Sequence, residues 1–422
     1  MYCLSKNIKK IIKDANGYSF LYETDVKNQQ IYQKINESAY IILLGFAKGL
    51  KEKDIVFTLQ QKYRFDLSIE DKMNSFVNKL KSWNLLVDKK DIYYPTIIEN
   101  SDIVVPKYCI IEISSNCLLN CSHCYLGKKQ NSFVNTVRII ELIKELSILG
   151  IDSIQLTGGE PFLHPDFEKI INILIEKNIK TIITTSGYIP ETYEKRLLLL
   201  QKLKNTSFIQ VSIDGLEDTH NRIRGKNDSY QKTVNFIDRM IANNLEVQIA
   251  TVVQRKNFSE MESLVKKFKL MGVRGIRFTG LMEAGFGKKE EIIDNGKITE
   301  VAKELGKKYA DASFSIISSE ESINVLENRK TPNCGCGSEL FTVDTELNLY
   351  NCVMYRKPVA NLTQCSFSEV LKKISINNFS IKAPNNVDCL GCEKQKKCFG
   401  CITLGRIEHD KTPCIWGNKW NL

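Results

Sequence analysis

The sequence has no hydrophobic run long enough to cross a membrane. Its longest apolar stretch, AYIILLGFA at residues 39–47, is about half of the roughly 20 residues that a transmembrane helix needs. The first residues, MYCLSKNIKKII, lack the apolar segment and cleavage site of a secretory signal peptide. These absences argue against a membrane or secreted protein, and we expect a cytoplasmic one.

The sequence also lacks low-complexity tracts and internal sequence repeats. Of its 422 residues, 43% are hydrophobic and 26% are charged, which is typical of a folded chain and argues against extensive disorder. A chain of this length is too long for one ordinary hydrophobic core. We therefore expect two or three domains.

Cysteine is abundant although a cytoplasmic protein has little use for disulfides. The chain has 14 cysteines, and cytosolic thiol buffers keep most disulfides reduced. The cysteines cluster at residues 117–124 and in the last ninety residues instead of being scattered. This distribution indicates metal ligands and not a disulfide framework.

Hydrophobic periodicity divides the chain into three regions. Residues 1–95 contain short alternating segments and then three amphipathic stretches, which predicts a small module of strands followed by helices. The stretches lie near residues 36–47, 51–63 and 69–84. Residues 103–315 form the second region, which ends in a helical connector near 292–312. Residues 330–422 are rich in cysteine and show little periodicity, so we expect their core to depend on metal.

In the second region, six apolar runs alternate with helical patterns. The runs read, in order, YCIIEIS, SIQLTG, KTIITTS, FIQVSID, EVQIATVV and GIRFTG. Strict alternation of strands and helices is typical of parallel β/α units. The sequence therefore predicts an α/β fold with about six such units.

Three cysteines follow the first of these strands. Cys117, Cys121 and Cys124 stand in a C-x3-C-x2-C pattern within NCLLNCSHCY, at the strand end where sheets and barrels place their sites. Three thiolates on one loop can hold three corners of a cubic iron–sulfur cluster and leave the fourth iron for a small molecule. The alternative is a zinc site closed by a distant ligand. His123 is interpreted as non-ligating.

The C-x3-C-x2-C pattern followed by Tyr125 resembles the signature of the radical S-adenosylmethionine (SAM) superfamily, and later motifs match in order. The resemblance implies a partial, TIM-like (β/α)6 barrel with a [4Fe–4S] cluster on the three cysteines, and it makes Tyr125 a candidate cofactor-binding residue. In that family the amino and carboxylate groups of SAM chelate the open iron. One electron then splits SAM into methionine and a 5′-deoxyadenosyl radical, which takes hydrogen from the substrate.

The motif TGGEP at the end of the second strand is a candidate SAM contact. Gly158 and Gly159 allow the backbone to approach a ligand closely, and Glu160 can accept hydrogen bonds from an ammonium group. The resemblance assigns Glu160 to the amino group of SAM, while the alternative is a tight strand-to-helix turn. Ser186, in TTSG, stands where relatives commonly have asparagine, so a hydroxyl replaces an amide that offers more hydrogen bonds.

Two further motifs contain candidate contacts to the ribose and the carboxylate of SAM. Ser212 and Asp214 in VSIDG are expected to contact the ribose or the carboxylate. Arg224 in HNRIRG is expected to face the SAM carboxylate. The alternative is an ordinary strand end with a solvated arginine.

The C-terminal cysteines resemble the SPASM extension of peptide-modifying radical SAM enzymes, which implies two auxiliary [4Fe–4S] clusters. The resemblance assigns the first cluster to Cys334, Cys336, Cys352 and Cys401. It assigns the second cluster to Cys389, Cys392, Cys398 and Cys414. A zinc ribbon is the alternative.

The C-terminal pattern departs from relatives in three places. CFGC is one residue shorter than the usual C-x3-C, and Leu347 stands where relatives have glycine. The close pair Cys334 and Cys336 is also unusual, so a first cluster with three protein ligands and an open iron is an alternative. The remaining Cys3, Cys109 and Cys365 are interpreted as buried or inert thiols; the list of predicted ligands excludes them.

Residues 1–90 are basic, with sixteen Lys and Arg against ten Asp and Glu, a net charge of +6. Short strands followed by three helices resemble a winged helix, a fold that often binds DNA. Ahead of a SPASM-type enzyme, the module instead resembles the domain that recognises leader peptides of ribosomally made natural products. There the leader adds as a strand to a sheet edge, and a basic surface would steer an acidic leader. We expect the exposed edge near NQQIYQKI.

Together, these resemblances imply a radical SAM maturase of a small precursor peptide. The expected product is a thioether between cysteine and an α-carbon (a sactionine) or a related intramolecular crosslink. A reducing partner such as flavodoxin or ferredoxin is expected, and neither a membrane nor a nucleic acid is. The alternatives are a formylglycine-forming sulfatase-type maturase and, in another class, a DNA-binding redox regulator, which would not need a SAM pocket.

Overall fold

The chain folds as two units, residues 1–105 and residues 106–422. The computed structural model describes residues 2–376 apart from residues 16, 25–29, 64–67, 89–92, 129, 191–195, 197, 198, 204–207, 319–335 and 338. Within this part of the chain, no helix is both long enough and apolar enough to cross a membrane.

The first unit combines three helices with short strands. Its strands are β1 (Tyr2–Leu4), β2 (Ile8–Asp14), β3 (Gly17–Glu23), β4 (Gln30–Ile35), β5 (Leu86–Asp88) and β6 (Thr96–Asn100). Its helices are α1 (Glu37–Ala47), α2 (Glu52–Lys62) and α3 (Ile69–Ser82). The predicted order of strands and then three helices is confirmed. The strands β5 and β6, which follow the helices, were not predicted.

The sheet order places β4 at an edge. Four strands pair in the order β4-β3-β2-β6, and β1 pairs separately with β5. Strand β6 is parallel to β2, whereas β2, β3 and β4 are antiparallel. Among the described residues, no strand pairs with the outer side of β4, so the edge strand predicted from NQQIYQKI is confirmed.

The helices of this unit pack on β3 through one apolar core. Phe20, Leu43 and Leu80, from β3, α1 and α3, are fully buried in it. At the start of α1, the Glu37 carboxylate accepts a hydrogen bond from the Tyr18 hydroxyl and another from Lys62, each at 2.8 Å. These contacts connect β3, α1 and α2 around one carboxylate.

The second unit is built on parallel β/α units. Its first strands are β7 (Tyr108–Ser114), β8 (Ser153–Gly158), β9 (Lys180–Thr185), β10 (Phe208–Ser212), β11 (Val247–Val253), β12 (Gly275–Gly280) and β13 (Ser315–Ser318). The helices are α4 (Thr136–Ile148), α5 (Phe167–Glu176), α6 (Glu217–Arg224), α7 (Ser229–Ala242), α8 (Met261–Leu270) and α9 (Asn295–Tyr309). The six predicted runs correspond to β7–β12, so the α/β prediction is confirmed.

These strands form one sheet in sequence order. Strands β7–β13 are parallel, each hydrogen-bonded to the next. Every residue of β7 after Tyr108 is buried, as expected for a strand of a parallel sheet covered on both faces. The carboxyl ends of all seven strands therefore lie on one rim, where the predicted site residues meet.

The C-terminal region continues this sheet, which the sequence did not predict. Its elements are β14 (Leu340–Val343), β15 (Asn348–Cys352), β16 (Tyr355–Asn361) and α10 (Phe367–Ile376). Strand β14 pairs parallel to β7, and β15 and β16 follow it as antiparallel strands. Their weak periodicity has a physical reason, because short strands added to an existing sheet take their stability from it. Residues 340–376 thus have a partly apolar core, with buried Phe341, Leu349 and Phe367.

Leu347 lies in the turn between β14 and β15 in the left-handed backbone region, with φ of +63°. This conformation favours glycine, since a side chain costs about 1–2 kcal/mol in it. The Asp344 carboxylate holds the turn by accepting the N–H groups of Glu346 and Asn348, each at 2.9 Å. These hydrogen bonds and the burial of Leu347 offset the conformational cost.

Helix α10 is capped by a side chain of α4. The Glu145 carboxylate accepts hydrogen bonds from the N–H groups of Phe367 and Ser368 at 3.3 and 2.8 Å, and from the Ser368 hydroxyl at 2.7 Å.

Glu145→Ala should therefore destabilise the second unit by about 1–2 kcal/mol, which thermal unfolding would show as a lower midpoint. The control is Glu141→Ala, one turn earlier and exposed beside Arg138, with a change below about 0.5 kcal/mol. Equal effects of the two substitutions would contradict the capping role.

Candidate functional site

The cysteine loop, residues 117–124, follows β7 and is held by the end of α6. The N–H groups of Asn120 and Ser122 donate to the carbonyls of Arg224 and Ile223 at 3.1 and 2.8 Å. Gly225 ends the helix in the left-handed region, and a Cβ there would lie 2.7 Å from the carbonyl oxygen of Asn120. Glycine is therefore required for this close approach.

A buried ion pair lies behind the loop. Asp214, two residues beyond β10, contacts Nη2 of Arg224 at 2.6 Å and Nε2 of His123 at 3.4 Å. It also accepts the N–H of Val252 at 2.9 Å. Nη1 of Arg224 lies 3.8 Å from the Cys121 sulfur. The guanidinium thus stands between a carboxylate and one of the predicted cluster thiols.

The charges of these groups follow from their neighbours. Burial by itself would raise the pKa of Asp214, but Arg224, then His123, more than offset it, and the pKa lies below its ordinary value. Burial lowers the pKa of His123, so this imidazole is neutral at neutral pH. Its Nε2 faces Asp214, which fits the prediction that it does not ligate a metal.

Glu160 is a fully buried carboxylate whose hydrogen-bond donors in the described part of the chain are all neutral. It accepts hydrogen bonds from the Thr185 hydroxyl at 2.8 Å, from the Ser186 hydroxyl at 2.6 Å and from the Ser186 N–H at 3.0 Å. Burial raises its pKa, and the bonds from Ser186 and Thr185 oppose the rise. Among the described residues, no basic side chain pairs with it. Because a buried, uncompensated charge is costly, this carboxylate is suited to a cationic ligand.

The two glycines before Glu160 place it against the cysteine loop. A Cβ on Gly158 would lie 2.0 Å from the Ser114 carbonyl oxygen, and one on Gly159 would lie 2.4 Å from that of Asn116. The N–H of Glu160 donates to the Asn116 carbonyl at 2.8 Å. The close approach seen here is to the backbone that leads into the loop; an approach to a ligand stays a prediction.

The hydroxyl of Ser186 donates to Glu160, so in this arrangement it orients the carboxylate. Ser212 is the last residue of β10, beside Asp214 along the same rim. The carboxylate of Asp214 is occupied by Arg224, His123 and Val252, as described above. Direct contacts of these three predicted residues with SAM stay predictions.

The residues present fit an iron–sulfur cluster with an external fourth ligand. Cys117, Cys121 and Cys124 are half-buried, and none is joined in a disulfide. Across the described ranges, no group of three His, Cys, Asp or Glu side chains is placed to hold a single metal ion. A cubic cluster does not need such a group, because its ligands bind separate irons. Nε of Arg224 is buried, and no described group accepts its hydrogen bond. This orphaned donor and the uncompensated Glu160 suit the carboxylate and ammonium of an amino acid.

Sequence reasoning missed a further buried carboxylate, Glu112 in β7. It accepts a hydrogen bond from the Tyr125 hydroxyl at 3.1 Å and two from Arg356 in β16. Tyr125, predicted as a cofactor residue, therefore has its hydroxyl engaged with the protein. The available signal was the single acidic residue inside the apolar run YCIIEIS.

Two predicted auxiliary-cluster ligands are within the described residues. Cys336 and Cys352 are both buried, and a Cβ on Gly337 would lie 3.0 Å from the Asn351 side chain, so their chain neighbours are in contact. The N–H of Met354 donates to the Cys352 sulfur at 3.4 Å. The other predicted ligands, Cys334, Cys389, Cys392, Cys398, Cys401 and Cys414, lie outside the described residues.

The remaining thiols differ in exposure. Cys3 and Cys109 are buried, and burial raises the pKa of Cys109, which makes its thiol unreactive. Cys365 is half-buried, so for this residue inertness stays a prediction. It lies in the exposed turn between β16 and α10.

A cavity of about 700 Å³ opens beside the cysteine loop. Cys121 and Cys124 line it from one side, and the segment after β12, which includes Phe286, lines it from the other. The N–H of Phe286 donates to the Cys124 carbonyl at 2.9 Å. Two exposed lysines, Lys128 and Lys288, stand at the cavity, and its described lining includes no carboxylate.

Comparison with known sequences relates the chain to one superfamily and to two proteins of Bacillus subtilis (strain 168). Residues 111–268 match the family model of the radical SAM superfamily. The antilisterial bacteriocin subtilosin biosynthesis protein AlbA is 23% identical over 415 residues, which cover 93% of this chain and 90% of AlbA. The sporulation killing factor maturation protein SkfB is 24% identical over 310 residues, 72% of this chain and 71% of SkfB.

Comparison with solved structures finds the same fold. A crystal structure of Streptococcus suis SuiB bound to precursor peptide SuiA superposes with a TM-score of 0.70. The match covers 100% of both chains at 16% sequence identity. At this identity, the likeness establishes the fold alone.

Glu160→Gln should weaken the binding of SAM by about ten- to a hundredfold, since the amide keeps the shape of the carboxylate but loses its charge. Anaerobic equilibrium dialysis of the reconstituted protein would measure this affinity. Glu141→Gln, an exposed change on α4, is the matched control and should leave the affinity unchanged. Normal SAM affinity in Glu160→Gln would remove the assigned role.

Proposed function

Because residues 111–268 form a radical SAM domain, we propose that this enzyme modifies a ribosomally made precursor peptide. The proposed product is a thioether between a cysteine sulfur and an α-carbon, or a related intramolecular crosslink. The observation that carries this proposal is the 415-residue similarity to a bacteriocin biosynthesis protein, since it extends through both regions that flank the radical SAM domain. The name of SkfB, a maturation protein, points the same way.

In the proposed reaction, Cys117, Cys121 and Cys124 would hold a [4Fe–4S] cluster that leaves one iron available to SAM. The cluster and SAM, when bound, supply a 5′-deoxyadenosyl radical that takes a hydrogen atom from the peptide. Glu160 would hold the ammonium of SAM, because it is the buried carboxylate that has only neutral donors among the described residues. Arg224 offers its orphaned Nε to an anionic acceptor and places its positive charge 3.8 Å from the Cys121 sulfur.

Two auxiliary [4Fe–4S] clusters belong to this proposal, on the cysteines assigned from the SPASM resemblance. Their support within the described residues is the buried pair Cys336 and Cys352, with a backbone N–H directed at one sulfur. Hydrogen bonds of this kind tune the potential of iron–sulfur clusters. An auxiliary cluster would bind the peptide thiolate or accept the second electron of the crosslinking reaction.

The proposed electron donor is a small acidic protein such as flavodoxin or ferredoxin. Lys128 and Lys288 support it, because they are exposed beside the cavity that reaches Cys121 and Cys124. Charge complementarity of this kind raises association rates and weakens with salt. A cytoplasmic location is part of the same proposal, since cytosolic conditions keep thiol ligands reduced.

The first unit is the proposed leader-peptide site. Strand β4 is an open edge among the described residues, and residues 1–90 carry a net charge of +6. An acidic leader would add to β4 as a further strand, with main-chain hydrogen bonds giving affinity and pockets giving specificity. SuiB, which has the same fold, has been solved with a precursor peptide.

Replacing any one of Cys117, Cys121 and Cys124 with Ala should abolish reductive SAM cleavage, because the active cluster loses a ligand. Anaerobic assays of 5′-deoxyadenosine, together with iron content, would measure the loss. Cys365→Ala, a half-buried thiol outside the predicted ligands, should keep both. Normal deoxyadenosine production in any of the three variants would overturn the radical SAM assignment of the loop.

Proline substitutions at Gln33 and at Lys34 should distinguish the open edge of β4 from the edge that pairs with β3. Neighbouring strand residues direct their N–H groups to opposite sides, so one proline breaks the ladder to β3 and the other removes a donor from the open edge. The variant that keeps its thermal stability should bind the leader about tenfold more weakly. Fluorescence anisotropy with the intact and a scrambled leader would measure this.

The outcome that contradicts the leader site is normal leader affinity in the stable proline variant. A second measurement separates the DNA-binding alternative, which shares the same fold and charge. DNA binding would fall steeply with salt, by a slope of about 0.9 for each phosphate contacted. Tight duplex binding without any leader binding would overturn the assigned partner.

A further inference from the structure

A bidentate ion pair joins β7 to the C-terminal hairpin; its carboxylate is buried, whereas the Arg356 side chain is 30% exposed. One carboxylate oxygen of Glu112 in β7 accepts a hydrogen bond from Nη1 of Arg356 at 2.7 Å, and the other accepts one from Nη2 at 2.9 Å. Glu112 is 2% exposed, and its neighbours in β7 are buried and apolar. A planar guanidinium bound in this way fixes both distance and orientation.

The carboxylate of Glu112 also holds the cysteine loop. The hydroxyl of Tyr125, the residue that follows Cys124, donates to the same oxygen that Nη1 of Arg356 contacts, at 3.1 Å. The loop is therefore attached to β7 by a side chain as well as by its backbone. Any shift of Glu112 would be transmitted to the cysteine next to Tyr125.

At the other end of the pair, Arg356 lies beside a predicted auxiliary-cluster ligand. Its neighbour Tyr355 is the register partner of Cys352 across the β15–β16 hairpin. The guanidinium lies over the Tyr350 ring at 4.4 Å from its centroid, and the Tyr350 hydroxyl donates to Asp344 at 2.7 Å. The arginine is thus oriented by the hairpin that carries Cys352.

We propose that Glu112 and Arg356 are positioning residues that keep the active-cluster loop and the Cys352 hairpin in a fixed arrangement. The inference rests on the proposed function, in which the radical forms at the active cluster and the second half of the crosslinking reaction takes place near an auxiliary cluster. Stability alone does not account for the pair, because apolar side chains of similar volume often stabilise a buried position as well or better. A fixed separation between two sites does require a directional contact.

The test compares Arg356→Lys, Arg356→Met and Glu112→Gln with the unaltered holoenzyme. The reduced active cluster should show a changed EPR spectrum, and the modified peptide formed per SAM cleaved should fall by about tenfold or more. Arg356→Lys should give a spectrum and a yield between those of the unaltered enzyme and those of Arg356→Met, since lysine keeps the charge but loses the bidentate geometry. Tyr125→Phe, which removes one hydroxyl and leaves the ion pair intact, should change the EPR spectrum in the same direction.

The matched control is Lys107→Met. Lys107, just before β7, pairs with Glu339, just before β14, at 2.9 Å, and so also connects β7 to the C-terminal strands, but at the end of β7 away from the cysteine loop. This variant should lower the thermal midpoint without changing the EPR spectrum or the yield of modified peptide per SAM cleaved. It separates a general loss of packing between the segments from a loss of positioning.

The proposal is overturned if the folded Arg356 and Glu112 variants keep the unaltered spectrum and yield, or if Lys107→Met reduces the yield equally. If Arg356→Met does not fold, Arg356→Lys and Glu112→Gln decide the result by the same criteria. The spectrum and SAM cleavage are measured without peptide. An unaltered protein that cleaves no SAM would instead contradict the proposed function itself.

Discussion

The ion pair of Asp214 with Arg224 is the contact on which the site depends. It connects the end of β10, the last turn of α6 and the cysteine loop, since Arg224 also reaches Cys121 and its carbonyl accepts the N–H of Asn120. Both charged groups are buried, so removal of either would leave an uncompensated charge, a change that typically costs about 3–5 kcal/mol. The pair thereby connects the loop to two elements of the fold.

The buried carboxylates Asp214, Glu112 and Glu160 have different partners, and the difference separates their roles. Asp214 and Glu112 each have an arginine, so their charges are compensated within the protein. Glu160 has neutral donors alone among the described residues. A cationic ligand therefore gains most at Glu160, while Asp214 and Glu112 hold structure around it. Burial without compensation is the property that distinguishes a binding carboxylate from a positioning one.

Much of the fold could be predicted from local patterns, and the contacts between distant segments could not. The β7–β12 strands matched their apolar runs because strands of a parallel sheet are buried on both faces. The short strands β14–β16 were missed because they are stabilised by pairing with β7. Leu347 was noticed as a departure from glycine, but its left-handed backbone and the hydrogen bonds of Asp344 became visible in the folded turn alone.

The sequence by itself determined the chemistry available: three cysteines spaced to hold a cluster, and motifs at the ends of successive strands that share one rim. Tertiary structure decided which of these groups face one another. Glu112 and Arg356 are separated by 244 positions, and no local pattern relates residues so far apart. Their pairing depends on the parallel register of β14 with β7 and on the antiparallel hairpin that follows. Spacing along the chain fixes which ligands a loop can offer, whereas the charge balance around each carboxylate exists only after distant strands pair.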